Sequence, residues 1–131
     1  MKKDIQIPEV ENIYVAAVRE FNEEFRADEW NVYLINDRDT EIEMVLIVAR
    51  GESTRKKTSV MRHKLERLPA RSFAKIEFIQ DEVLQLDNEY LLTFFAENKM
   101  YERTFSFKKN SVSESRVVDL PVIPKKGVLA K

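Results

Sequence analysis

A single histidine, several pairs of neighbouring carboxylates and one dense block of cations are the groups in this 131-residue sequence that could do chemistry. His63 stands in Met-Arg-His-Lys-Leu, among cations that oppose a metal ion, and reads as an ordinary surface or half-buried residue. The carboxylate pairs are Glu23-Glu24, Asp28-Glu29, Asp37 with Asp39, Glu41 with Glu43, and Asp81-Glu82. General acid-base work needs two carboxyls in one cleft with separated pKa values. These fall in expected turns and at strand ends, where water solvates them. Asp37 to Glu41 has the look of a calcium loop without its glycine or distal glutamate. With only Gly51 and Gly127, the chain cannot form a phosphate-cradling loop or a dinucleotide-binding turn, and without cysteine it has neither disulfide nor thiolate chemistry. No serine sits in a nucleophile elbow. The expectation is no enzyme, no cofactor and no metal.

The cations are the stronger lead. Residues 1 to 49 carry five basic and twelve acidic side chains, residues 50 to 75 nine and two, and residues 76 to 131 eight and nine. Arg55, Lys56, Lys57, Arg62, Lys64, Arg67 and Arg71 are therefore candidates for binding an anion or an acidic partner, provided they share a face, the alternative being a solvated edge balanced against the chain's own acidic half. Base stacking is not evident, because Phe73 is the sole aromatic between residues 50 and 75. A pI near 6.0 also argues against a dedicated nucleic-acid binder.

The elements that must hold this block read as strands. Short runs rich in Val, Ile, Tyr and Phe alternate with polar punctuation, as in a mainly β domain. Trp30 to Ile35 and Ile42 to Val48, separated by Asn-Asp-Arg-Asp-Thr, are predicted to form a hairpin. Phe73 to Ile79 is predicted as a strand with Ala74, Ile76 and Phe78 on one face. Tyr90 to Ala96 and Met100 to Phe107 flank Glu97-Asn98-Lys99 as a second hairpin, with Tyr101, Arg103, Phe105 and Phe107 sharing a side. Val10 to Phe25 fits either a helix or a strand; the strand reading is preferred, leaving Glu20 to Glu29 as a loop. Residues 51 to 67 read as a loop followed by one short helix from about Thr58 or an edge strand. Together these predict an all-β fold: an immunoglobulin-like antiparallel β-sandwich over residues 1 to 109, with a C-terminal tail, 110 to 131, docked in part through Val117, Val118, Leu120, Val122 and Ile123.

Two strands are apolar on both faces. Ile42, Met44, Leu46 and Val48 oppose Val45, Ile47 and Ala49; Tyr90, Leu92, Phe94 and Ala96 oppose Leu91, Thr93 and Phe95. A sheet with one wet face should alternate, so the second face needs cover from the tail, the N-terminal segment or another subunit. Val45, Ile47, Leu91 and Phe95 are the candidate self-association face. The N-terminus shows no readable secretion signal and no apolar run is long enough to cross a bilayer as a helix, which makes the cytoplasm the expected location.

Met1 to Lys3, IPEV, YVAAV, WNVYLINDRD, KTSVMRH, LPARSFAKIE, NEYLLTFFAENKMYERTFSF and the terminal KKGVLAK resemble a group of small uncharacterised bacterial proteins, some labelled phenylalanyl-tRNA synthetase alpha subunit. The resemblance covers nearly the whole chain. Class II synthetases hold ATP with an Arg in an F-R-x-E pair and with a later glycine-rich motif ending in Arg. Phe25-Arg26-Ala27-Asp28 echoes the first and ends in Asp, and the second has no counterpart, so no aminoacylation residue carries over. Two expectations follow: a non-enzymatic module acting through protein contacts with another protein or a second copy of itself, or an RNA- or translation-associated factor using the basic block.

Overall fold

The computed structural model describes residues 8–131. The chain runs through β1 (Ile13–Asn22), β2 (Ala27–Asn36), β3 (Ile42–Glu52), β4 (Met61–Leu68), β5 (Ser72–Ile79), the one-turn helix α1 (Asp81–Leu84), β6 (Asp87–Ala96), β7 (Lys99–Phe107), β8 (Val118–Asp119) and β9 (Lys126–Leu129). One sheet has the order β5-β2-β1-β9-β8 and the other β4-β3-β6-β7, all antiparallel. The two sheets pack face to face as an all-β sandwich. Val15, Ala17, Val32 and Leu34 of the first sheet meet Val45, Ile47, Leu92 and Phe94 of the second in one core.

The segment from Val10 to Phe25 resolves as a strand because β1 pairs with β2 along its whole length, from Ile13 opposite Asn36 to Asn22 opposite Ala27. The expected loop between Glu20 and Glu29 shrinks to a four-residue turn. Asn22 Oδ1 accepts the amide N–H groups of Glu24 and Phe25, and Arg26 takes the left-handed conformation at φ 51°. Residues 61 to 68 form an edge strand and not a helix.

The hairpin predicted for Trp30–Ile35 and Ile42–Val48 does not form. The turn-rich segment between them instead carries the chain from one sheet to the other, and Asn36 pins the crossing. Buried completely, its amide donates to the carbonyl oxygens of Thr40, Leu68 and Pro69, while its Oδ1 accepts the Arg38 amide. The β6–β7 hairpin forms as predicted, around Glu97 and Asn98, both at positive φ.

Two irregularities shift the alternation. In β3, Glu43 faces Phe95 and Leu46 faces Thr93, so three steps on β3 match two on β6, with Met44 at φ 51°. Ile42 and Val45 therefore both point inward. In β5, Tyr33 faces Lys75 and Val32 faces Glu77, which keeps Ala74 and Ile76 against the core but turns Phe78 outward, 49% exposed. On β7, Arg103 shares a side with its aromatic neighbours yet stays exposed, lying over the Phe105 ring at 4.3 Å.

Residues 110 to 131 do more than dock. β9 pairs with β1, and beyond it Lys131 exchanges two backbone hydrogen bonds with Ser106 of β7, tying one side of the sandwich together. Ile123, with Leu120 and Val122, covers the outer face of the five-stranded sheet over Ala16, Ile35, Tyr14 and Tyr33, whereas Val118 is 48% exposed.

Candidate functional site: the outer face of the four-stranded sheet

In the four-stranded sheet the pairing register sorts the outward side chains into rows across the strands. Arg62, Val48, Leu91 and Thr104 make one row; Lys64, Leu46, Thr93 and Glu102 the next; Arg67, Glu43, Phe95 and Met100 a third. Leu46, Val48, Leu91 and Phe95 are half-buried by their neighbours on the sheet and belong to neither apolar cluster, and Met44 and Met100 beside them are 66% and 51% exposed. No described segment lies over this patch as the tail lies over the other sheet.

This corrects the expected self-association face. Leu91 and Phe95 are on it, but Val45 and Ile47 point into the core, 2% and 1% exposed. The alternation was right from Val45 onward; what the sequence concealed was which parity faces inward, because the bulge at Met44 breaks the count from Ile42. Leu46 and Val48 are the outward residues that period-two reading assigned to the opposite side.

The basic block divides. Arg62 and Lys64 stand on the outward side of β4, flush with the apolar patch, and Arg55, Lys56 and Lys57 lie in the loop leading into that strand. Ser53 Oγ accepts the Arg55 and Lys56 amides, and Thr58 Oγ1 accepts that of Gly51, so the loop has a defined shape. None of these five cations meets a carboxylate among the described residues. Arg67 pairs with Glu41 at 3.5 Å. Arg71 belongs to the β4–β5 turn, where it donates to the Asp37 carbonyl and carboxylate, each at 2.7 Å, and has no share in the strip.

His63 points to the seam where the two edge strands β4 and β5 meet. Its Nε2 is 2.9 Å from Glu77 Oε1, and Glu77 Oε2 accepts the Tyr90 hydroxyl at 2.9 Å. Burial, reinforced by the Glu77 charge, pushes the Tyr90 hydroxyl well above its ordinary range. His63 stands among cations in the sequence, and Glu77 becomes its neighbour only through the fold. A recess of 410 Å³ opens beside this trio, bordered by Thr58, Ser59, Phe78 and Val83. Both oxygens of Glu77 are engaged, and its bonds tie three strands together. Among the described residues no three His, Asp or Glu side chains gather as a metal site would need.

An open cleft of 830 Å³ lies on the outer face of the other sheet. There Glu20 accepts hydrogen bonds from Asn31 Nδ2 at 2.8 Å and Tyr33 Oη at 2.7 Å, and pairs with Lys125 of the C-terminal segment. Burial alone would raise the Glu20 carboxyl; the bonds from Lys125, Tyr33 and Asn31 outweigh it and hold the group below its usual 4.5. Desolvation, with Glu20 as bond partner, pushes Tyr33 upward. Because the folded-state value of Glu20 is the lower one, its contribution to stability is present above pH 4.5 and is lost as pH falls through the folded value. Glu20→Gln is therefore expected to be less stable than the parent at pH 7, with the gap in urea midpoint closing on acidification below the unfolded carboxylate range. A gap independent of pH would show that charge is not what Glu20 contributes.

No helix among the described residues is long and apolar enough to cross a membrane. No protein-family model matches the chain, and no curated protein or solved structure matches it.

Proposed function

We propose that this protein is a non-enzymatic module that works by protein–protein contact through the outer face of its four-stranded sheet. One observation carries the reading: the chain covers the apolar outer face of one sheet with its own C-terminal segment and leaves Leu46, Val48, Leu91 and Phe95 of the other without described cover. An apolar patch rimmed by charge is an interaction surface in physical terms, since exposing it to water is unfavourable and closing it favourable. Supporting an immunoglobulin-like assignment are the sheet orders β5-β2-β1 and β4-β3-β6-β7, with crossings after β2, β4 and β5. The absence of cysteine accords with a reducing compartment, the cytoplasm.

The test pairs Leu91→Lys and Phe95→Lys in one variant. Expected is loss of association, whether with itself by light scattering or with a partner identified by affinity capture and then titrated pure, while the melting temperature changes by only a few degrees, roughly what outward sheet positions cost. Association unchanged in the variant would overturn the reading. A different result would replace it: RNA binding that falls steeply with salt, survives Leu91→Lys and disappears on charge reversal at Arg55, Lys56, Lys57 and Arg62.

A further inference from the structure

Resting on that reading, we infer that the occupant of this face is a second copy of the chain, docked about a two-fold axis that runs parallel to the strands between β3 and β6. Charge is distributed unequally across the rows. Lys64 and Arg62 stand on β4 at one margin, and Glu102 stands on β7 at the other, none of them paired with an opposite charge among the described residues. Lys64 and Glu102 are the two ends of a single row, with Leu46 and Thr93 between them.

Two ways of laying this face on itself obey two-fold symmetry and keep the strands of the two copies aligned, as sheets stacked face to face commonly do. An axis across the strands sets β4 on β4 running the opposite way, and brings the like charges Arg62 and Lys64 of both copies together unless the register slides far enough to set Lys64 over the other copy's exposed Glu66. An axis along the strands preserves height along the strand and exchanges the margins. It sets β4 of one copy over β7 of the other, so that each Lys64 meets the other copy's Glu102 while Val48 lies over Leu91 and Leu46 over Thr93. The surface is then self-complementary in charge and continuous in apolar contact, which an isologous interface requires. Sheets stacked this way stand about 10 Å apart, and both charged side chains span that gap comfortably from opposite sides.

The size of the patch fixes the strength. Four strands about 4.8 Å apart and roughly seven residues long present on the order of 450 Å² per copy. The pair then buries about 900 Å² in total, just under the roughly 1,000 Å² of the smallest specific interfaces, and gives a weak, reversible dimer whose population varies with concentration.

The experiment is sedimentation equilibrium of the full chain over a concentration series, at low and moderate salt, for the parent, Lys64→Glu, Glu102→Lys and an equimolar mixture of the two variants. Each variant alone places like charges at both Lys64–Glu102 positions of its homodimer and is expected to dimerise about tenfold more weakly than the parent. The mixture restores opposite charges at both positions and is expected to form a heterodimer at parental strength. Both residues are exposed, so their replacement leaves the fold intact, which circular dichroism checks. Stronger self-association of Lys64→Glu would overturn the axis along the strands in favour of the one across them. Failure of the mixture to recover overturns the Lys64–Glu102 pairing. A parent that is monomeric throughout overturns self-docking but leaves the protein-binding reading standing, since that reading is lost only if Leu91→Lys with Phe95→Lys changes no association.

Discussion

Asn36→Ala is expected to cost about 3 kcal/mol and to lower the melting temperature by roughly 10 °C, although the residue is small and takes no part in the proposed contact face. Its Nδ2 shares two hydrogens among the carbonyl oxygens of Thr40, Leu68 and Pro69 at 3.0, 3.1 and 2.9 Å, and its Oδ1 accepts the Arg38 amide at 3.0 Å. One amide thus satisfies backbone groups from the β2–β3 crossing and from the end of β4, at the place where chain segments of both sheets come together. Alanine leaves those acceptors without a donor in a site from which water is excluded, and an unsatisfied buried polar group costs far more than a neutral hydrogen bond contributes. Asn36→Asp provides the control. It keeps the acceptor for Arg38 but turns an oxygen toward three carbonyls, so at neutral pH it should be the worse of the two and should improve on acidification as the carboxyl takes up a proton. Thermal and urea unfolding of both variants measure this. A loss below roughly 1 kcal/mol for alanine would mean that water replaces the amide and that the crossing is not held by Asn36.

How much of this was readable beforehand depends on the range of the interaction concerned. Strands at Trp30–Ile35, Phe73–Ile79, Tyr90–Ala96 and Met100–Phe107 were legible because alternation and branched or aromatic side chains are local signals, and the Glu97-Asn98 turn closes a hairpin by its own backbone preferences. The hairpin wrongly placed between β2 and β3 has the same local signs. A turn cluster between two apolar runs looks alike whether the chain returns beside the first strand or crosses to another sheet, and the deciding bonds, from Asn36 to Leu68 and Pro69, are remote in sequence. The candidate face suffered from a subtler local event. One extra residue at Met44 changes which of Val45 and Leu46 meets the core, and nothing in a two-sided apolar run reveals the slip. The basic block was visible as composition. Its division between Arg62 and Lys64, which flank the apolar patch, and Arg71, which serves Asp37, depends on a turn that only the fold defines.

Gly127→Val is expected to detach the C-terminal strand and to cost about 3 kcal/mol or more. A Cβ at residue 127 would lie 2.6 Å from the Ala17 carbonyl oxygen and 2.9 Å from Leu120 Cδ1. The first of these is backbone in the middle of β1, held by pairing with β2 on its other side, so it cannot withdraw. Relief has to come from β9, which has only a short pairing to give up, and with it go the burial of Ile123 and Val128 and the bonds between Lys131 and Ser106. Gly51→Ala is the instructive comparison. There the nearest atom is Asn88 Oδ1 at 2.7 Å, on a buried amide that donates to the Val83 and Leu86 carbonyls, so relief costs side-chain hydrogen bonds but leaves the strand pairing in place. Amide hydrogen exchange locates the damage: protection should fall along Val15 to Val18 and at Ser106 in Gly127→Val, while β3 and β6 stay protected. The uncovered Ala16, Ile35 and Tyr33 surface then becomes a second apolar patch, so the variant should aggregate more than the parent. If Gly127→Val keeps full protection in β1 and its melting temperature, the close approach of β9 to β1 does not depend on glycine, and the tail is not what keeps that outer face from water.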